Sequence, residues 1–173
     1  MLDIAPDLFV AAYRSAAVAP EIIEENHRSV QQQLESLRFF DPTRNRPTNA
    51  GMLLFGKDAR RFLDGAYVQQ YLRTSGDSLD TEILDDRVFA GDLLTMLRQL
   101  DAFVAVMSER KPTQRSALTE TTVQRYPVIA LRELLMNAVM HRDYASTAPI
   151  RFYEFDTRIE IQDPGGLDGE ATP

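Results

Sequence analysis

A leucine-rich stripe in the segment GDLLTMLRQLDAFVAVMSER constrains the fold of this chain more than any other feature. The apolar residues of the stripe recur at helical spacing: Leu93, Leu94, Leu97, Leu100, Val104 and Met107. Asp92 precedes them, and Arg110 and Lys111 follow, which suits the dipole of a helix. Because a helix with one apolar face must bury that face against another element, the stripe predicts an amphipathic helix inside a packed domain.

Strand patterns flank this helix on both sides. AYVQQYLRT and TEILDDRVF precede it, and both are rich in β-branched, aromatic or alternating apolar residues. PIRFYEFDTRIEIQDPGG follows later and predicts two strands joined at Asp156-Thr157-Arg158, while the Thr-rich segment from Lys111 predicts a linker strand. The sequence therefore predicts an α+β fold in which helices pack on mixed or antiparallel strands.

The first third of the chain is predicted to be mainly helical. Pro20 opens EIIEENHRSVQQQLESLRFF, where apolar residues at helical spacing predict a single helix. DPTRNRPTNAG then interrupts it, and Thr48 or Asn49 is expected to cap a short helix through MLLFG. The phenylalanines of this region are predicted to lie in the core: Phe39, Phe40, Phe55 and Phe62.

Composition excludes several classes of protein. The chain has no cysteine and two histidines, so neither a disulfide framework nor a thiolate metal site is expected. No apolar run approaches the roughly 18 residues that span a bilayer, and the N-terminus lacks the pattern of a secretion signal. We therefore expect no membrane partner and a cytoplasmic location.

Charge argues against a nucleic-acid surface on this stretch, because the formal net charge is −7. A local basic cluster does surround PTNAG, with Arg44, Arg46, Lys57, Arg60 and Arg61. Asp41, Asp58 and Asp64 are interspersed with it, which favours a solvated face over contact with phosphate. Both interpretations remain open from the sequence.

The last third carries the candidate chemistry. The segment VIALRELLMNAVMHRDY predicts a helix that buries Val128, Leu131, Leu134, Leu135 and Ala138 on one side. Residues four apart lie about 40° apart around a helix, so Glu133, Asn137 and His141 form a polar stripe on roughly the opposite side.

An amide and a carboxylate on one helix face suit a magnesium nucleotide, because an Asn oxygen ligates the metal and a carboxylate orients water. The same pair is also common on solvated helix faces. Similarly, Asp163-Pro164-Gly165-Gly166 is first of all a turn. Spacing alone leaves both interpretations open.

Taken in order, ALRELLMNAVMHRDY and RIEIQDPGGL resemble the opening of the GHKL (Bergerat-type) ATPase fold in its RecG-related branch. The resemblance implies a cofactor, ATP with Mg²⁺. It assigns Asn137 to the metal, Asp163 to adenine, and Glu133 to the general base of hydrolysing members. Gly165 and Gly166 would let the backbone approach the nucleotide closely.

The upstream stretch RPTNAGMLLFGKDARRFLDGAYVQQYLRT is similar to the segment that precedes the ATPase-like domain in these regulators. The resemblance implies a middle region at residues 1–110 and the first half of a truncated GHKL-type domain at residues 111–173. Full-length relatives add a Schlafen/AlbA-like domain, so nucleic acid is expected as a partner through other domains of the parent.

The function implied is that of a fragment of a DNA-associated transcriptional regulator or helicase-related protein, supplying part of an ATP/Mg²⁺ site. No Gly-x-x-x-x-Gly-Lys-Ser/Thr loop is present, so helicase motor chemistry is not expected in this stretch. One alternative is a non-catalytic scaffold for interaction or homodimerisation with a degenerate GHKL-like half-domain. Another is a genuine ATPase, although this stretch alone is not expected to be active.

Overall fold

The computed structural model of the chain describes residues 3–25, 27–73, 79, 82–108, 111–116, 119–123, 126–155 and 157–166. They form helices and a mixed sheet, which confirms the α+β prediction. Two compact units can be distinguished. Unit 1 takes its described residues from Met1–Tyr67, Ala90–Met96 and Tyr144–Thr147; unit 2 takes its own from Val68–Phe89, Leu97–Asp143 and Ala148–Pro173.

Unit 1 is built from short elements around an aromatic core. In chain order they are α1 (Pro6–Leu8), a π-helical segment (Phe9–Arg14), α2 (Ser15–Ala17), α3 (Pro20–Glu25), α4 (Val30–Ser36), β1 (Phe40–Asp41), β2 (Arg46–Pro47), α5 (Asn49–Phe55) and a 3₁₀ turn (Ala59–Arg61). β1 and β2 pair as an antiparallel hairpin. The buried core consists of Ile4, Phe9, Leu34, Phe40, Met52 and Phe55.

The predicted assignment of four phenylalanines to this core is correct for Phe40 and Phe55, which are buried. Phe39 packs against the core from its edge. Phe62, in contrast, is 53% exposed, so its assignment to the core was wrong. It follows the 3₁₀ turn, where the neighbouring Leu63 occupies the buried position instead.

The single helix predicted from Pro20 is wrong, because α3 and α4 are separate and residues 27–29 are not helical. Ser29 starts α4 with a capping box: the Gln32 backbone N–H donates to Ser29 Oγ at 3.2 Å, and the Ser29 N–H donates to Gln32 Oε1 at 2.9 Å. This reciprocal pair stabilises a new helix start, which outweighs the continuous apolar spacing.

The PTNAG motif joins the hairpin to α5, and Thr48 is the N-cap of α5, as predicted. Thr48 caps α5 by accepting the Gly51 N–H at 3.1 Å, and its hydroxyl donates to the Arg38 carbonyl at 2.9 Å. A Cβ at Gly51 would overlap the carbonyl oxygen of Phe39. The glycine is therefore needed because α5 lies directly against the backbone that follows α4.

Unit 2 contains the larger sheet. The next elements are β3 (Val68–Arg73), β4 (Ile83–Phe89), α6 (Leu93–Met107), β5 (Lys111–Ser116), β6 (Thr119–Val123), α7 (Val128–His141), β7 (Ile150–Glu154) and β8 (Ile159–Gln162). The sheet has the order β4-β3-β7-β8, with β3 parallel to β7 and the other pairs antiparallel. β5 and β6 form a separate antiparallel pair.

The leucine stripe forms α6 as predicted, and Asp92 caps its first turn by accepting the Thr95 N–H at 2.8 Å. Phe103 of α6 packs on the sheet, with ring centroids 5.1 Å from Phe89 and 5.5 Å from Phe152. The four-stranded sheet contains β3 and β4 from before residue 110 and β7 and β8 from after it. The predicted domain boundary between residues 110 and 111 stays a prediction. No helix within the described ranges has the length and hydropathy needed to cross a membrane.

The helix α7 buries Leu131, Leu135, Ala138 and Val139. Leu134 was predicted to join them, but it is 53% exposed. Each residue advances about 100° around a helix, so Leu134 lies well to one side of Leu135 and beside the polar stripe. Val139 takes its place on the buried face.

Candidate functional site

Helix α7 carries two of the three side chains predicted to contact a nucleotide, and several contacts hold it in place. Its apolar face is buried, and Arg132 Nε donates to Asp101 Oδ1 of α6 at 2.5 Å. Both partners of this ion pair are about half exposed, so it orients α7 more than it stabilises it.

The polar stripe of α7 faces away from its buried side. Glu133, Asn137 and His141 are all exposed, as the helical spacing predicted. Consecutive members are one turn apart, which corresponds to about 6 Å along the axis at a rise of roughly 1.5 Å per residue. The carboxylate of Glu133 and the amide of Asn137 therefore reach solvent from neighbouring positions on one helix.

The turn after β8 lies against the end of α7. Asp163 Oδ1 accepts the backbone N–H of Gly165 at 2.7 Å, which closes a tight turn. A Cβ at Gly165 would lie 2.5 Å from the carbonyl oxygen of His141. Only glycine allows this close approach, so the sequence Asp-Pro-Gly-Gly places Asp163 beside the last turn of the helix.

The three predicted residues thus follow an order along α7. Asp163 lies at the C-terminal end of the helix, Asn137 one turn before His141, and Glu133 one turn earlier still. Glu133 is therefore about 12 Å along the axis from the end that contacts the Gly165 turn, since eight residues separate it from His141. Gly166 is exposed, and a Cβ there would meet nothing within 4 Å.

A separate cavity of about 160 Å³ lies between α6 and α7. Its lining is mostly apolar, and it includes Leu100, Val104 and Leu135. None of Glu133, Asn137 and Asp163 lines it. This cavity is therefore a gap in helix packing and not the predicted nucleotide site.

Arg142 lies directly after α7, and no role is predicted for it from the sequence. Its side chain is buried, and Nη2 donates to the carbonyl oxygen of Ala148 at 2.9 Å. This bond holds the chain between α7 and β7. An arginine is seldom buried, so nothing in the sequence distinguishes it from a surface residue.

The exposed groups fit a magnesium nucleotide chemically. Mg²⁺ takes oxygen ligands and usually keeps several waters, so a single amide oxygen from Asn137 suits it. Asp163 is exposed and accepts the Gly165 N–H through Oδ1, and a carboxylate has a second oxygen that can accept a hydrogen bond.

Comparison with known proteins supports the fold of the chain and nothing about its function. No model of a protein family matches the chain, and no curated protein matches it. The chain is similar to the crystal structure of the DIP2311 protein from Corynebacterium diphtheriae, with a TM-score of 0.62 and 22% sequence identity. The match covers 98% of this chain and 32% of that one, so the chain spans about a third of the length of DIP2311.

Proposed function

We propose that this chain supplies part of an ATP/Mg²⁺ site of GHKL type within a DNA-associated regulator. Asn137 holds the metal, Asp163 reads adenine, and Glu133 lies where a hydrolysing enzyme has its general base. Gly166 leaves the backbone open to the nucleotide, and Gly165 lets the Asp163 turn lie close to the end of α7. DNA is bound by other domains of the parent protein.

The order of the three side chains along α7 supports this proposal most strongly. A nucleoside triphosphate has its base at one end, its metal-bound phosphates in the middle and its reactive phosphorus at the other end. Glu133 and Asn137 lie one turn apart on α7, and the Asp163 turn lies at the C-terminal end of the same helix, so the three follow one another in the same order. The sequence motifs alone do not require this, because they leave the position of the turn relative to the helix open.

The chemistry assigned to each residue follows from its functional groups. Bound Mg²⁺ would neutralise phosphate charge, and the Asn137 amide would fix its position. The remaining oxygen of Asp163 would accept a hydrogen bond from the exocyclic amino group of adenine. If the parent protein hydrolyses ATP, Glu133 accepts the proton of the attacking water.

Calorimetric titration of a non-hydrolysable ATP analogue with Mg²⁺ into the full-length protein tests the proposal. We expect binding that is lost in Asn137→Ala. The matched control is Gln99→Ala, an exposed amide on α6. Equal affinity of the wild type and Asn137→Ala would contradict the assignment. A Glu133→Ala variant that still binds but no longer turns over would establish hydrolysis.

A second candidate, a non-catalytic scaffold, is favoured by the apolar residues that α7 exposes. Ile129 is 77% exposed and Met140 is 66% exposed, on the same helix as the polar stripe. Exposed apolar groups on one element are typical of an interaction surface. A mass that rises with concentration and does not respond to ATP would support homodimerisation as the main role.

A further inference from the structure

A groove in unit 1 collects several basic side chains of the PTNAG region. Its volume is about 670 Å³, and it is lined by Arg38, Arg44, Arg46, Asn49 and Phe62, with Asp3 and Asp41 among the other lining residues. We call it the Arg38 groove. A space of this size exceeds a gap in packing and lies within the range of ligand sites.

A second groove of about 220 Å³ adjoins the first, because Asp3 and Phe62 line both. Lys57, Asp58 and Arg61 complete its lining, and we call it the Lys57 groove. Together the two grooves carry five basic and three acidic side chains, counted from their linings. This surface is therefore net positive on a chain whose net charge is −7.

The carboxylate of Asp41 is engaged within the hairpin and does not pair with Arg38 or Arg46. Asp41 accepts the backbone N–H groups of Thr43 and Arg44 at 2.9 and 3.2 Å, so its carboxylate holds the turn of the hairpin. It also lies 3.8 Å from Arg44 Nε. Within the part of the chain that the structure describes, Arg38 and Arg46 have no carboxylate at ion-pair distance.

The left-handed backbone conformation of Arg38 is an independent observation that favours a role for its side chain. Arg38 has φ of 60° and ends α4 in a Schellman motif, in which its N–H donates to Glu35 O at 3.0 Å and the Phe39 N–H donates to Leu34 O at 2.8 Å. Glycine is the preferred residue at this position because a Cβ is strained there. An arginine in its place costs stability and supplies a charge to the groove.

Phe62 supplies an aromatic face where the two grooves meet. Its ring is 53% exposed, and the Arg61 guanidinium lies 5.9 Å from its centroid. An exposed aromatic ring between basic side chains is the arrangement on which nucleic-acid bases stack while their phosphates bind the cations.

We propose that the Arg38 and Lys57 grooves together bind a single strand of nucleic acid, with one base stacked on Phe62. The strand's phosphates contact Arg38 and Arg46 on one side of the ring and Lys57 and Arg61 on the other. A single strand fits better than a duplex because only unpaired bases can present a face to a protruding ring. A compact phosphate compound would occupy one groove and leave the other unused.

Fluorescence anisotropy with a labelled twelve-residue oligothymidine tests the proposal. Three or four phosphate contacts predict a slope of about −2 to −3 in a plot of log K against log salt concentration. Arg46→Gln should reduce the size of that slope by about 0.7, since one contact is lost. Arg98→Gln, which removes an exposed arginine of unit 2, is the matched control and should leave the slope unchanged.

Phe62→Ala and Phe62→Leu test the stacking contact. Both should weaken binding about tenfold, because neither side chain has a flat ring face on which a base can stack. Leucine keeps the apolar bulk, so its loss of affinity reports stacking itself. Since the ring is exposed, neither change should lower the melting temperature. Full affinity in Phe62→Leu would overturn the stacking role.

Arg38→Gly separates binding from folding. Glycine relieves the backbone strain, so the variant should melt at the same or a higher temperature and yet bind the strand more weakly. Unchanged binding in Arg38→Gly would contradict the proposal, as would an equal loss in Arg98→Gln. A duplex that binds as tightly as the single strand, or inorganic phosphate that displaces the strand at millimolar concentration, would also overturn it.

Discussion

Replacing Gly51 with alanine tests how closely α5 approaches the end of α4. In an ordinary helix interior, glycine to alanine stabilises by roughly 1 kcal/mol. At Gly51 the new Cβ would lie well inside 3.0 Å of the Phe39 carbonyl oxygen, a separation that Cβ atoms essentially never show. The obstacle is backbone, so no side-chain rotation can relieve it.

The expected loss in the free energy of unfolding follows from the displacement of α5 that the new Cβ requires. Overpacking of this kind costs about 1–3 kcal/mol. Moving α5 away also weakens the Thr48 N–H bond to Phe39 O, at 3.1 Å, and the Thr48 hydroxyl bond to Arg38 O, at 2.9 Å. Each contributes about 1 kcal/mol. After subtracting the gain in helix propensity, we expect Gly51→Ala to destabilise the fold by roughly 2–4 kcal/mol.

Urea unfolding followed by far-ultraviolet circular dichroism measures this change. Gly166→Ala is the control, because a Cβ there meets nothing within 4 Å and should alter stability by less than about 0.5 kcal/mol. A Gly51→Ala protein as stable as the wild type, or more stable, would show that α5 does not lie against the Phe39 backbone.

Further predictions concern the nucleotide site, the sheet and a helix start. In Asp163→Asn the amide oxygen still accepts the Gly165 N–H, so the NH₂ group faces the amino group of adenine, and two donors oppose each other. Titration should show that the affinity for ATP falls about 10- to 100-fold and that the affinity for GTP falls less. An equal loss for both nucleotides would argue against base reading. Phe103→Ala should cost about 3–5 kcal/mol in urea unfolding, and a cost below about 1 kcal/mol would contradict its packing on the sheet. Ser29→Ala should cost about 1 kcal/mol through loss of the cap, whereas an unchanged midpoint would show that Gln32 alone starts α4.

Periodicity predicted the elements that have one strongly apolar face. The stripe of α6 and the strands β7 and β8 appear where the apolar spacing predicts them, and α6 buries Leu100 and Val104 while β7 buries Ile150 and Phe152. Helix starts that depend on local hydrogen bonds are not predicted by apolar spacing. The capping box at Ser29 divides a segment whose apolar spacing alone predicts one helix.

Burial of single residues depended on packing that no local pattern contains. Phe62 and Leu134 have core-like side chains, yet a neighbour takes the buried position in each case. Arg142 has a surface-like side chain and is buried. These outcomes depend on which element covers which face, and the sequence specifies that only through the complete fold.

For the candidate site, helical spacing predicted the relation of Glu133 to Asn137 directly. The position of Asp163 at the end of the same helix was not available from spacing, because it depends on how the turn after β8 returns to His141. The nucleotide itself was suggested only by resemblance, so the assignment of these residues stays a prediction.

The most direct measurement uses Mn²⁺ in place of Mg²⁺, with ATP, and records nuclear magnetic resonance spectra of the ¹⁵N-labelled protein. We expect ATP-dependent paramagnetic broadening to affect the Asn137 side-chain amide most strongly, then the amides of the neighbouring turn of α7, and more weakly the backbone amides of Gly165 and Gly166. Broadening without ATP dependence, or broadening confined to residues away from α7 and the Asp163 turn, would contradict the proposal that this helix face holds a metal-bound nucleotide.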